Sequence, residues 1–273
     1  MSSNEIPARE AGVDARSVLR WAASTWFAVA VAGQAAFIYF ILAFYGTRTA
    51  SGRFAAWNDK PLITGYVQGD HTGNAMFAAH VLLAAVVTLA GLAQLVPPLR
   101  RAAPGLHRWT GRTFLVVACF LALGGAWMAI ARGSYLSVIS AVAILLDAAL
   151  ILTFAVLAWR AALARRFDQH RRWAMRTFMV VSGVWFLRVG LMGWIVVNGR
   201  PIGMTKRMDG PADIVLTFGS YLIPLAILEL YFAAERSSRP ALKLAVSTLI
   251  FASTAYVAAG IYGAIVMMWG PYL

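Results

Sequence analysis

Charge is what this chain has least of: Asp, Glu, Lys and Arg make up 13% of its 273 residues. A soluble domain draws about a quarter of its residues from those four types, so a fold with a water-facing surface all round is excluded. There is one cysteine, Cys119, inside an apolar run, which rules out an intramolecular disulfide and a thiolate metal site. Histidine is scarce, with four residues. The short motifs that name common enzymes are missing too. There is no phosphate-cradling Walker loop, no metalloprotease helix, no Gly-x-Ser-x-Gly and no dinucleotide fingerprint after a strand.

What is present is apolar. Hydrophobic residues make up 60% of the chain, and the mean hydropathy is +0.70. About 20 apolar residues cross ~30 Å of hydrocarbon, and seven stretches qualify: 21–45, 75–96, 113–131, 134–159, 177–198, 214–234 and 244–273. Backbone groups in lipid must be satisfied within the segment, so these runs predict helices rather than strands. The expected fold is all-α: a polytopic transmembrane bundle of seven spans forming a single domain over 1–273. The apolar run after residues 1–20 is too long for a signal-peptide core and is read as a retained first helix. Gly270-Pro271 is expected to end the last one.

The formal net charge of +13 might suggest nucleic acid, but the basic residues sit between apolar runs, where they set membrane orientation. With the N terminus inside, sixteen of the 24 Lys and Arg fall on the inner face, seven on the outer face, and Arg188 within a span. That asymmetry predicts N-in and C-out, with residues 1–20 cytoplasmic and the chain in the cell inner membrane. Two longer outer segments, 46–73 and 199–211, are expected to cover the outer mouth.

Ionisable groups at membrane depth persist when they are paired or face a cavity. Asp147 and Arg188 come out at matching depth, very roughly 15 Å below the outer ends of their spans at 1.5 Å per residue, which predicts a salt bridge. Gln34 and His80 lie near that level, so Gln34, His80, Asp147 and Arg188 are expected to share one polar chamber. A purely structural ion pair with satisfied neighbours is the alternative. Glu229 lies toward the inner side, within reach of Arg176 or Arg172. On the second span His80, Ala84, Val87, Gly91 and Gln94 form a stripe whose small residues predict a protein-facing side.

An echo stands out on the inner face. His107-Arg108-Trp109-Thr110-Gly111-Arg112-Thr113-Phe114 opens the third span, and His170-Arg171-Arg172-Trp173-Ala174-Met175-Arg176-Thr177-Phe178 opens the fifth. Allowing one inserted arginine, both read H-R-W-x-x-R-T-F. Interfacial Trp and cytoplasmic Arg explain part of the pattern. The functional reading is two imidazoles at one depth, His107 and His170, able to ligate the iron of haem b. Arg108, Arg112 and Arg171 would then lie near the propionates. A lipid or nucleotide-like phosphate is the other ligand this pattern suits.

On these residues the chain resembles a bacterial membrane family catalogued as domain of unknown function 2306. The likeness is carried by Asn74-Ala75-Met76-Phe77-Ala78-Ala79-His80, Gly91-Leu92-Ala93-Gln94, Leu106-His107-Arg108-Trp109-Thr110-Gly111-Arg112, the His170 motif and Phe186-Leu187-Arg188, over about residues 74–194. Trp173-Ala174-Met175 departs from it, since the family pattern has Trp and Met adjacent. The resemblance implies a membrane fold and carries no activity. A looser likeness, resting only on histidines at helix ends, is to di-haem cytochrome b membrane reductases. Two haems would need Met128 or Met192 opposite His80, so a single inner haem is favoured.

Three functions therefore stay open. One is a membrane redox component binding haem b, exchanging electrons with quinone or another membrane redox protein. The second is a proton-coupled transporter using the Asp147, Arg188, His80 and Gln34 relay. The third is a membrane helper or sensor without chemistry, whose one partner is the lipid bilayer.

Overall fold

The computed structural model describes residues 14–60 and 63–273; Arg9 and the rest of the expected cytoplasmic segment before residue 14 lie outside them. Among the described residues there is no strand, and ten α-helices follow one another. They are α1 (Ala15–Phe40), α2 (Thr47–Ala50), α3 (His71–Gln94), α4 (Pro97–Ala102) and α5 (Pro104–Ala131), then α6 (Val138–Leu163), α7 (Phe167–Val181), α8 (Gly183–Asn198), α9 (Pro211–Arg236) and α10 (Pro240–Gly263). A π-helical turn, Ile41–Gly46, joins α1 to α2; another, Ala264–Trp269, extends α10 and gives way at Gly270 to a last 3-10 turn.

Six of the resulting rods are long and apolar enough to cross a membrane, and α7 with α8 make a seventh span bent by 51°. The expectation of one straight helix over 177–198 is thus corrected. The span starts earlier, at Phe167, and is broken at Ser182-Gly183. Gly/Ser pairs are a recognised cause of sharp kinks. Here the gap is also held from outside, because Gln34 Nε2 on α1 donates to Ser182 Oγ at 3.2 Å.

Helix starts follow local chemistry. Asp14 accepts from the amides of Arg16 and Ser17, Asp70 accepts from Gly73 at 2.8 Å, and Ser137 with Ser140 forms a reciprocal capping box at α6. Proline occupies the first turn of α4, α5, α9 and α10, where its missing N–H costs nothing. At the far end of α9, the buried Lys243 donates to the carbonyls of Ala234 and Ser237, a cation placed at a helix C-terminus.

The bundle closes as a ring. α1 packs on α10 and α3, α3 on α5, α5 on α6, α6 on α7, and α8 on α10, while α9 runs along both α7 and α8. The bend therefore lets one span change neighbours halfway across, from α6 to α10. Close approach of α8 and α10 depends on glycine. A Cβ at Gly260 would run into the Val189 carbonyl oxygen, and one at Gly193 would lie 3.1 Å from the Tyr256 ring.

Gly260→Ala is expected to destabilise the bundle by about 1–3 kcal/mol through overpacking. Gly105→Ala, where nothing lies within 4 Å, should stay within about 0.5 kcal/mol. Thermal unfolding of the detergent-solubilised variants checks the pair, and equal losses would remove the claim that α8–α10 contact is special.

Candidate functional site

The first turns of α5 and α7 both open onto one cavity of about 1100 Å³. His107 and His170 line it together with Arg100, Arg108, Arg112 and Arg171, and Gln94 reaches it from α3. The deeper wall is apolar and aromatic, with Phe114, Trp159, Phe178 and Met179. From there the cavity runs on between α8, α9 and α10, past Gly190, Gly219, Pro224 and Tyr256. No residue lining it is acidic.

The histidines are held differently. His170 Nδ1 lies 2.9 Å from the Ala158 carbonyl oxygen on α6. A carbonyl can only accept, so Nδ1 carries a proton, and in the neutral ring Nε2 is then the acceptor nitrogen. His107 Nδ1 is buried without a hydrogen-bond partner, while its backbone carbonyl accepts from Gln94 at 3.2 Å. Arg171 lines the cavity, but its guanidinium fork is filled by Glu235 at 2.9 and 3.1 Å. Arg100, Arg108 and Arg112 have no acid partner among the described residues. Sequence reasoning missed Arg100, because nothing local separates it from Arg101; the fold-back of α4 is what brings it in. The echo is real at its histidines and breaks at its tryptophans. Trp109 is exposed, whereas Trp173 packs on Phe154 with Arg176 stacked over it.

The expected Asp147–Arg188 salt bridge does not form. No ion pair joins them. The reason is helical phase: Gly183 is the residue of this span that meets Asp147, and Arg188, five positions on, turns about 140° away from it. The Asp147 carboxylate sits against Gly183, 3.2 Å from where a Cβ would stand, with Tyr221 at the same spot from the other side. Gln34 joins this central group through Ser182. Arg188 instead turns toward α1, 5.3 Å from the Phe37 ring, with Nη1 donating to Val184 O at 2.8 Å. His80 faces Gly124 and Gly125 on α5. One expected chamber is thus two groups: Gln34 and Asp147 at mid-membrane, Arg188 and His80 nearer the α2 end. The Glu229 expectation holds, with Arg176 bidentate to it at 2.7 and 2.9 Å.

The family profile described as "Predicted membrane protein (DUF2306)" matches residues 77–232, more than half of the chain, and the chain belongs to that family. The match reaches past the 74–194 stretch to take in most of α9, and leaves out α1 and α10. No curated protein and no solved structure matches the chain.

Lys60 lies outside the spans, and burial, with the Arg188 charge behind it, holds its ammonium down to about 8. It is charged below that pH and largely neutral above it. At pH 8 an amine-acylating reagent should therefore label Lys60 faster than the exposed Lys206. Peptide mapping of the labelled protein reads the difference, and slower labelling of Lys60 would contradict it.

Proposed function

We propose that the chain is a membrane redox component that binds one b-type haem, with His107 and His170 as axial ligands. The observation that carries this reading is the shared cavity: imidazoles from two helices, an apolar wall, and arginines that no protein acid neutralises. Haem b needs those three things, namely two nitrogen ligands, a dry sleeve for the macrocycle and cations for its two carboxylates. The hydrogen bond from His170 Nδ1 to Ala158 supports it further, since ligating histidines ordinarily donate their second nitrogen to a fixed acceptor. Arg108 and Arg112 are the free cations for the propionates; Arg171 acts with Glu235 attached.

The extension of the cavity between α8, α9 and α10 suits the apolar ring and tail of a quinone as electron partner. The hydroxyls along it, on Ser220, Ser253 and Tyr256, donate to the carbonyls of Thr217, Leu249 and Gly190 and would have to turn to reach a quinone oxygen. In this reading the chain sits in the cell inner membrane with the arginine-rich face, and its haem, toward the cytoplasm.

Protein purified from haem-replete cells is expected to show a Soret band. His107→Ala and His170→Ala should each abolish it, Arg108→Ala combined with Arg112→Ala should weaken haem retention, and His71→Ala should leave the spectrum unchanged. A colourless preparation, or a band that survives both histidine substitutions, overturns the assignment.

A further inference from the structure

The opposite half of the bundle holds a second set of donors that the haem reading does not use. Met76 and His80 stand four residues apart on α3, and side chains at that spacing share one face of a helix. That face is turned to Gly124 on α5. A Cβ at Gly124 would stand 3.1 Å from Met76 Sδ and 3.8 Å from His80 Nδ1, and no other side chain from another helix comes within 4 Å of it. Gly125 widens the gap, its absent Cβ 3.4 Å from His80 Cε1. A thioether and an imidazole nitrogen therefore converge over a strip of bare backbone. Nδ1 is buried and has no hydrogen-bond partner, the sulfur included, a rare condition for a buried nitrogen. One turn beyond Gly124, on the same face of α5, Met128 is buried in the apolar cluster against which Met76 packs. Helical side chains lean toward the N-terminus, so Met128 leans back toward Gly124.

We propose that Met76 Sδ and His80 Nδ1 are ligands of one copper(I) ion held over Gly124, with Met128 supplying a second thioether. The donor chemistry selects the ion. Thioether and imidazole are uncharged and suit Cu(I), whereas Mg2+ and Ca2+ take oxygen ligands. A divalent ion such as Zn2+ would bring two charges into hydrocarbon and find no carboxylate free to meet them, since Asp70, at the start of α3, is held by Arg132 at 2.9 Å. Cu(I) brings only one. The geometry also separates this site from a haem. Axial ligands approach an iron from opposite faces of the macrocycle, whereas these two donors come from a single turn of one helix and converge on one point. Neither lines the histidine cavity. Glycine at 124 is what leaves the room, because any larger residue would place its Cβ where the two donors converge.

The test uses the full chain in detergent, loaded with Cu(I) under anaerobic, reducing conditions and dialysed against a competing Cu(I) chelator, with copper counted by elemental analysis. Wild type is expected to retain one copper per chain, and X-ray absorption at the copper edge should show sulfur and nitrogen neighbours together. Met76→Leu, a volume-conserving exchange, and His80→Leu should each lose the copper. Cys119→Ser and His107→Ala should keep it, which sets the site apart from the thiol and from the histidine cavity. The absorption measurement on wild type decides the matter if the α3 variants do not fold. A wild type that holds no copper, equal retention in Met76→Leu or His80→Leu, loss in Cys119→Ser or His107→Ala, or a copper shell without sulfur overturns the site. None of these outcomes depends on whether the protein carries haem.

Discussion

Every feature of this molecule answers to one constraint, the free energy of taking charge and unpaired polar groups into hydrocarbon. By insertion scales a lone ionised side chain at mid-bilayer costs about 2.5–3.5 kcal/mol, so each one present must be accounted for. Most are. Glu229 is held by both arms of Arg176, Glu235 by Arg171, and Lys243 spends its charge on the open carbonyls at the end of α9. Two are not. Asp147 and Arg188 carry opposite charge and still fail to meet, and the reason for that failure organises the interior.

That reason is azimuth, to which the Ser182-Gly183 break adds. Gly183 is the residue that meets Asp147, and at about 100° per residue Arg188, five positions on, would face about 140° away from it even on an unbroken helix. With a 51° bend, the first half stays beside α6 and the second half swings to α10, carrying Arg188 toward Phe37 and leaving Asp147 facing the bare backbone of Gly183. The same bend separates the two ends functionally. On the arginine-rich side it leaves room for the cavity with His107 and His170; on the other it gathers Arg188, His80 and the aromatic ends of α1 and α10.

The architecture was legible in the sequence because hydropathy reports directly on what lipid tolerates: runs of apolar residues between basic turns gave the spans and their number. The stripe from His80 to Gln94 was legible for the same reason, since small residues at helical spacing mark a packed face, and Gly91 indeed meets Phe114 and Phe178. The pairing of His107 with His170 in one cavity followed from the repeated motif. What escaped was three-dimensional. Depth arithmetic along two ideal helices placed Asp147 and Arg188 together, yet azimuth, not depth, decides which side chains meet, and a break rotates everything beyond it. The serine and glycine that cause the break look ordinary in an apolar run. Arg100 was missed likewise, because it enters the cavity through the fold-back of α4 rather than through any local pattern.

The contact between α1 and α10 has a consequence for how the chain is made. α1 has α10 as a main partner although eight helices separate them in the chain, and Gln34 within α1 bonds to Ser182, 148 residues further on. Until both are in place α1 must rest in the bilayer with an amide lacking its final acceptor and an aromatic flank at Phe37 and Phe40 lacking the Trp269 indole. The ring therefore cannot be sealed helix by helix: α3 to α9 gather beside an α1 whose contacts are completed only when α10 packs against it.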